Sequence, residues 1–374
     1  MKSILDTLAD LISIPSQNGI DTEDNIGNYL ESFLKDLGFE IQKYEYERNR
    51  PNIIATYTFD KPGQTVLFNT HMDTKPAHNN ENYNLWHSDP FSSVSKNGCI
   101  YGLGACDTKA SIAVILNVLK QLIKQNCGSG KIVLNLVSDE ENNSVFGTLP
   151  LCNDKKLSAD LCVVMEPTDN TVCIGQLGNM FLKTTILGIG GHTGVPEGKI
   201  NAFDIAIRYV QKLKEWALSK RIDVDDYQPF INIGKFIGGT SSGTIPSECE
   251  MYWGTRVLPK DSFEQYFEQI ITLTKNFNDT SKQQIKVSTQ LHDGGGVDGF
   301  VCDSYSFQKL IDCSHKNYGI FGASTDAGFI YNKLKIPCCI FGPGSLNQAH
   351  SPDEFVKISE LEESFRILFN FLSN

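Results

Sequence analysis

The chain has 374 residues, which is more than a single hydrophobic core usually supports and predicts two or three domains. Apolar residues make up 40% of it and charged residues 21%, a mixture that excludes collagen-like, coiled-coil and disordered chains. Its formal net charge of −11 repels phosphate backbones, so nucleic acid is not an expected partner.

Neither a membrane span nor a disulfide scaffold is predicted. No stretch approaches the roughly 18 apolar residues that a span requires, and the first residues lack the pattern of a secretory signal. The 11 cysteines are scattered without a Cys-x-x-Cys pair, which disfavours both a disulfide framework and a thiolate zinc site. We therefore expect a soluble, cytoplasmic protein without a membrane partner.

Residues 1–176 are predicted to alternate helices with apolar strands. This rhythm is typical of an α/β domain with a mixed, mostly parallel sheet flanked by helices. Open α/β folds place their sites at the carboxyl ends of such strands. The predicted strands are 39–46, 52–58, 65–71, 132–137 and 161–165, and the predicted helices include 26–37 and 110–124.

The rhythm changes after about residue 176 to a βαββαβ order, which is typical of a small independent sandwich. The glycine triplet at 294–296 indicates a hinge-like return to the first domain. We therefore expect a main domain formed by residues 1–176 and 293–374, interrupted by a second domain over 177–292. The predicted strands are 181–187, 230–237, 249–258, 284–291 and 336–342, and the helices are 201–220, 261–277 and one from 358.

Histidines and carboxylates follow the apolar strands of the main domain. Each alone has an ordinary explanation, such as a strand-end histidine, a capped glycine turn or a solvated acidic loop. Together they are typical ligands of zinc, manganese or cobalt, and one shared carboxylate would place two ions in a dinuclear hydrolase centre. These candidates are His71 in Phe68-Asn69-Thr70-His71-Met72-Asp73, Asp107 after Tyr101-Gly102-Leu103-Gly104, the pair Glu140-Glu141, Glu166 before Pro167, and His350.

These motifs resemble, in the same order and over nearly the whole chain, the zinc-dependent metallopeptidase and deacylase family of acetylornithine deacetylase, succinyl-diaminopimelate desuccinylase, aminoacylase and carboxypeptidase G. The resemblance implies a zinc-exopeptidase-like domain with a ferredoxin-like lid. It also implies two divalent ions, Zn²⁺ before Co²⁺ or Mn²⁺. Asp107 would bridge them, with His71 and Glu166 completing one set of ligands and Glu141 and His350 the other.

The same resemblance implies roles for residues that bind no metal. Glu140 would act as general base and acid, and Asp73 would orient a metal-binding imidazole. His192 of the lid would stabilise the oxyanion in a neighbouring subunit, which implies a homodimer joined through the lid. Arg256 would grip the substrate carboxylate. The alternatives are a turn histidine for His192 and a surface ion pair for Arg256.

The chain also departs from the family pattern. Gly243 stands where the family has a carboxylate-binding Asn, and Thr108 and Ala110 replace the usual Met and Gly after the bridging Asp. The remaining histidines match no family ligand and are expected in the surface or the core. They are His78, His87, His292 and His315.

The residues around His350 are most similar to the acetylornithine deacetylase branch, through the run Asn347-Gln348-Ala349. This similarity implies hydrolysis of N2-acetyl-L-ornithine, an N-acyl amino acid, to L-ornithine and acetate in arginine biosynthesis. Asp326 is a candidate partner for the ornithine ammonium, with an ordinary turn residue as its alternative. The other candidate functions are a succinyl-diaminopimelate desuccinylase, a dipeptidase, a general aminoacylase and a catalytically dead metal-binding scaffold.

Overall fold

The computed structural model of the chain describes residues 3–77, 85–220, 229–280 and 285–373. His78 and Gln284, the first residue of a predicted strand, lie outside these ranges. The chain forms two compact units. The main unit comprises Met1–Gln176, Val301–Phe321 and Thr325–Asn374, and the inserted unit comprises Leu177–Phe300 and Gly322–Ser324.

The helices begin and end where the sequence provides caps and apolar faces. In the first helix, the Ser3 side chain accepts a hydrogen bond from the Asp6 N–H, and the Asp6 carboxylate accepts one from the Ser3 N–H. The described helices are α1 (Ile4–Ile12), α2 (Asp24–Asp36), α3 (Lys109–Gln125), α4 (Thr148–Asn153), α5 (Ala202–Leu218), α6 (Phe263–Thr280), α7 (Gln308–Ser314), α8 (Ala327–Phe329) and α9 (Ile358–Leu372).

The strands divide between the two units. Those described are β1 (Glu40–Glu45), β2 (Pro51–Thr58), β3 (Thr65–His71), β4 (Val94–Lys96), β5 (Cys99–Tyr101), β6 (Lys131–Val137), β7 (Leu161–Val164), β8 (Cys173–Gln176), β9 (Gly178–Leu187), β10 (Gly191–His192), β11 (Asn232–Gly238), β12 (Thr244–Ile245), β13 (Glu248–Val257), β14 (Lys286–Val297), β15 (Phe300–Val301), β16 (Gly319–Phe321), β17 (Cys338–Ile340) and β18 (Phe355–Lys357).

The main sheet has the strand order β1-β2-β6-β3-β7-β17-β8-β15, with β16 paired to β8. Its centre, β6-β3-β7-β17, is parallel, while β1 and β2 run antiparallel at one side. The central strands are almost entirely buried, as expected for a parallel sheet covered by helices. The predicted fold class is therefore confirmed, and the register sets His71 opposite Val137 at the carboxyl edge.

The inserted unit has an antiparallel sheet of order β11-β13-β9-β14. Residues along β13 alternate between buried and more exposed, so one face of the sheet packs into a core. That core includes Tyr209 of α5 and Tyr266 of α6 together with Met251 and Trp253 of β13. The chain order of these elements is the predicted βαββαβ.

The glycine triplet at 294–296 does not form the hinge that the sequence indicates. Instead β14 continues through it to Val297, pairing with β9 across an irregular register between Leu291 and Gly296. A Cβ at Gly296 would lie 2.4 Å from the Asn179 carbonyl oxygen. Glycine is required at position 296 because two backbones approach closely, and at position 295 because its φ of 86° lies in the left-handed region.

Two of the predictions concern disulfide bonds and membrane-spanning helices. All 11 cysteines are free. Within the described ranges, no helix combines the length and the apolar character needed to cross a membrane.

Candidate active site

Three adjacent parallel strands deliver the candidate ligands to one edge of the main sheet. β3 ends at His71, β7 is followed by Glu166, and β6 is followed by a 3-10 turn over Glu140–Asn142. Because parallel strands end on the same side, residues far apart in sequence meet here. Asp107 enters the same region immediately before α3.

The first triad of candidate metal ligands is buried. It consists of His71, Asp107 and Glu166, whose ligand atoms all lie within 4.8 Å of one another. His71 Nε2 is 3.1 Å from Asp107 Oδ1 and 3.9 Å from Glu166 Oε1. Imidazole nitrogens and carboxylate oxygens are both donors that bind zinc in proteins.

The second triad shares Asp107 with the first and is more accessible. Its members are Asp107, Glu141 and His350, again within 4.8 Å. His350 Nε2 is 3.2 Å from Asp107 Oδ2 and 2.9 Å from Glu141 Oε1. The two oxygens of Asp107 thus face different histidines, which is the arrangement a carboxylate needs to bridge two cations.

Asp73 holds the first triad and the acidic turn together. Its backbone carbonyl oxygen lies 2.9 Å from His71 Nδ1, and its Oδ1 lies 3.4 Å from the same nitrogen. The Asp73 carboxylate also accepts hydrogen bonds of 3.1 Å from the backbone N–H groups of Glu140 and Glu141. A carboxylate in this position orients the imidazole and fixes which of its nitrogens faces the ligand cluster.

The electrostatics of the two triads suit divalent cations. Burial opposes a charge on His350, but hydrogen bonds to Asp107 and Glu141 outweigh it and raise the pKa of this imidazole to about 10. Burial likewise opposes a charge on His71, yet its carboxylate partners raise its pKa well above the usual range. Burial also raises the pKa of Glu166. The carboxylates that raise the pKa of these imidazoles would attract divalent cations in the same way, so the residues fit a metal centre.

Glu140 lies beside both triads and belongs to neither. Burial raises its pKa well above the usual range, the negative charges of Asp326 and Glu141 raise it further, and the charge on His71 opposes them. A carboxyl group with a raised pKa is suited to taking up a proton and returning it near neutral pH.

Asp326 is placed in a buried polar network, with only 1% of its surface exposed. Its carboxylate accepts hydrogen bonds from Asn69 Nδ2 at 3.0 Å, from Thr148 Oγ1 at 2.6 Å and from the Ser144 hydroxyl. Contact with a substrate ammonium stays a prediction, and one that these contacts do not support.

The inserted unit carries the other predicted site residues. His192 is exposed on β10, and its Nδ1 accepts a hydrogen bond from the Gly194 N–H. The adjacent Thr193 donates from its N–H and its hydroxyl to the carbonyl of Gly243, each at 3.2 Å. Gly243, which replaces the expected Asn, therefore contributes its backbone to the loop that holds His192.

Arg256 is half-buried on β13 and lines a cavity of about 260 Å³ within the inserted unit. Phe181, Tyr252, His292 and Asn179 are among the other residues that line it. Within the described ranges, no carboxylate forms an ion pair with Arg256. A guanidinium in a cavity with aromatic walls is suited to binding an external carboxylate.

Three residues near the triads were missed by the sequence reasoning. Asn18 Nδ2 donates to Asp73 Oδ2 at 2.9 Å and to Asp139 Oδ1 at 3.1 Å. Lys75 donates to the backbone carbonyl of Glu141, with its Nζ 3.3 Å from Glu141 Oε2. The third is Glu354, whose carboxylate accepts a hydrogen bond from the Asp107 N–H at 2.9 Å. Its only signal in the sequence is that it lies four residues after the candidate ligand His350.

Comparison with known proteins decides the family. The model of peptidase family M20/M25/M40 matches residues 67–374, well over half of the chain. The chain belongs to this peptidase family. As an M20 family member it is a metal-dependent amidohydrolase, which confirms the family resemblance and the prediction of an enzyme. The alternative hypothesis of a catalytically dead scaffold is therefore not supported.

Named relatives of this M20 protein act on different acyl groups. An acetylornithine deacetylase of Aliivibrio salmonicida is 26% identical over 373 residues, covering 96% of this chain and 94% of the relative. A succinyl-diaminopimelate desuccinylase of Rickettsia bellii is 28% identical, covering 92% and 90%. The crystal structure of a Staphylococcus aureus tripeptidase shares the fold, with a TM-score of 0.81, 24% identity and coverage of 99% and 96%.

Proposed function

We propose that the protein hydrolyses the amide bond of N2-acetyl-L-ornithine, yielding L-ornithine and acetate, at a two-metal centre. The observation that carries this proposal is the pair of triads that share Asp107 beside Glu140. The acetylornithine deacetylase relative and the residues preceding His350 support the choice of acyl amino acid. Such an activity belongs to arginine biosynthesis, in the cytoplasm.

His71, Asp107 and Glu166 would hold one ion, and Asp107, Glu141 and His350 the other. Their imidazole and carboxylate donors suit zinc, with cobalt or manganese as alternatives. Divalent ions bound there would polarise the scissile carbonyl and promote ionisation of the attacking water. The remaining steps belong to side chains of the protein.

Glu140 is the proton carrier of the proposed reaction. Its carboxylate accepts a proton from the attacking water while the water oxygen adds to the acetyl carbon. The protonated Glu140 then returns the proton to the ornithine nitrogen as the carbon–nitrogen bond breaks. Its raised pKa supports this role, because a carboxylate that takes up a proton more readily than usual can carry it from the water to the nitrogen.

Two residues of the inserted unit complete the proposed site. The His192 N–H of a second copy of the chain would donate a hydrogen bond to the developing oxyanion, so the active form would be a homodimer. Its exposure supports this role, because an exposed imidazole can reach another subunit. Arg256 would bind the α-carboxylate of the substrate, supported by its cavity and its lack of a described ion-pair partner.

A succinyl-diaminopimelate desuccinylase is the second candidate, favoured by a relative of nearly equal similarity. The test compares acetate release from acetylornithine with succinate release from succinyl-diaminopimelate, using zinc-loaded protein. We expect kcat/KM to be higher for acetylornithine. Faster succinate release would make succinyl-diaminopimelate the assigned substrate in place of acetylornithine. No turnover of either compound would reject both assignments in favour of a dipeptidase or a general aminoacylase.

A further inference from the structure

Glu354 is a buried carboxylate for which the proposed reaction has no use. It is 3% exposed and follows His350 in the loop that leads into β18. Its side chain accepts three backbone hydrogen bonds from one short segment. Oε2 accepts from the Gly104 N–H at 2.9 Å, and Oε1 accepts from the N–H groups of Cys106 at 2.8 Å and Asp107 at 2.9 Å.

The three N–H groups form a nest of backbone donors that favours an anion. Gly104 makes this convergence possible, since its φ of 77° lies in the left-handed region. A Cβ there would also approach the Thr74 methyl group to 2.8 Å. The carboxylate therefore occupies a site that the glycine turn builds, and the turn ends at the shared ligand Asp107.

Glu354 also lies in the segment that carries His350, another member of the second triad. Its backbone carbonyl accepts a hydrogen bond from the Gly102 N–H at 3.0 Å. The next residue, Phe355, pairs with Tyr101 in the β18–β5 ladder. Through these contacts the loop bearing His350 is attached to the turn bearing Asp107, residues that are otherwise distant in sequence.

We propose that Glu354 is a positioning residue of the second triad, holding Asp107 in register with His350 so that both face one cation. This inference rests on the proposed two-metal function. The second triad takes two of its three ligands from the segments that Glu354 joins, whereas the first takes only Asp107 from them. Loss of Glu354 should therefore weaken the second metal more than the first.

The variant Glu354→Gln tests this with little change of shape. A glutamine offers one acceptor oxygen, so its NH₂ group must face at least one of the N–H donors that the carboxylate now satisfies. The matched control is Asp298→Asn in the inserted unit, which alters a partly buried carboxylate that accepts the Phe263 N–H at 2.7 Å.

The measurement is a Co²⁺ titration in competition with a chelating dye, followed by the visible absorption of the bound ion. We expect Glu354→Gln to weaken one of the two stepwise dissociation constants, that of the second triad, about 10–100-fold and the other by clearly less, as loss of an outer partner of a metal ligand commonly does. Asp298→Asn should leave both constants unchanged. Two unchanged constants, or equal weakening of both, would overturn the positioning role.

An unfolding measurement and a second variant distinguish a loss of folding from a loss of metal binding. Thermal unfolding of each metal-free variant shows whether Glu354→Gln folds. If it does not, Glu354→Asp, whose shorter carboxylate reaches fewer of the donors, should show a smaller loss with the same selectivity, and an absence of selectivity would overturn the role. Wild-type protein that binds two ions but turns over neither substrate would reject the substrate proposal alone.

Discussion

The two units of the chain bury different kinds of polar group. In the main unit the described side chains with almost no exposure include many charged groups, whereas those of the inserted unit are all neutral. The charged set is Glu23, His71, Asp73, Asp107, Lys109, Asp139, Glu166, Asp326 and Glu354, and the neutral set is Asn179, Thr184, Thr255, Thr274 and Thr289. Burying a charge costs several kcal/mol unless it is paired, and three of the charged groups, His71, Asp107 and Glu166, are candidate metal ligands.

The two units differ in the same way in the parts they have in the proposed reaction. A permanent metal centre can be buried, because the ions offset the desolvation of its ligands. Residues that contact a passing substrate must stay accessible, and in the inserted unit His192 is exposed while Arg256 is half-buried. Substitutions in the main unit should therefore change chemistry, metal binding and pH dependence, and core substitutions in the inserted unit should change stability alone.

The largest effect is expected for Glu140→Ala. Loss of a general base and acid should lower kcat about 10²–10⁴-fold, while both metals remain bound because Glu140 belongs to neither triad. Metal content by elemental analysis and kcat with acetylornithine are the measurements. Asn142→Ala, an exposed residue of the same turn, is the control. Surviving turnover would remove Glu140 from its role as base.

His192→Ala should have the next largest effect, lowering kcat about 10²–10³-fold through loss of an oxyanion donor. Glu197→Ala, also exposed in the neighbouring loop, should keep full activity.

If His192 acts across a dimer, mixing His192→Ala chains with Glu140→Ala chains creates sites in which both residues are intact. In an exchanged twofold dimer this should restore about a quarter of the wild-type activity. No restoration after verified subunit exchange would contradict action between subunits, as would full activity in a strictly monomeric preparation.

A smaller effect, on stability, is expected from a buried charge in the main unit. Burial raises the pKa of Glu23 to about 7, from 4.5, while Arg50 opposes the shift. Between these values the folded protein binds more protons than the unfolded chain, so this group lowers the free energy of unfolding as the pH rises from 4.5 to 7. The decrease attributable to it is about 3 kcal/mol.

The test for Glu23 is denaturant unfolding at several pH values within this range, using Glu23→Gln as the comparison. The variant removes the titrating group while keeping a polar side chain of the same length. Its stability should fall less steeply with pH than that of the wild type. Parallel profiles of the two proteins would show that the folded environment of Glu23 does not favour its neutral form.

Much of this contrast between units can be predicted from sequence. The metal ligand candidates follow apolar strands, and parallel strands bring their carboxyl ends to one edge, so local pattern is sufficient to group His71, Glu141 and Glu166. The βαββαβ order is likewise visible from periodicity. The hinge prediction at the glycine triplet was wrong, because glycine is required both where two backbones approach closely and where a chain forms a hinge.

The supporting residues of the site could not be predicted in the same way. Asn18 donates to Asp73 and Asp139, which lie 55 and 121 positions away, and Glu354 accepts from a turn about 250 positions away. No spacing rule connects such partners, because the contacts exist only once the main sheet has formed. An asparagine in a loop and a glutamate before a strand are ordinary residues until their donors and acceptors are placed.

The smallest effect is expected in the core of the inserted unit. The Tyr209 hydroxyl lies 2.6 Å from Thr274 Oγ1 and 3.1 Å from Thr289 Oγ1, and Thr289 continues to Thr184 at 2.9 Å. Tyr209→Phe should cost about 1 kcal/mol of unfolding free energy, because one neutral hydrogen-bonding group is lost. Since the partners are uncharged, the cost should be the same at pH 5 and pH 8, and both metal dissociation constants should be unchanged. A pH-dependent loss, or a weakened metal, would show that the neutral core of this unit is coupled to the charged one.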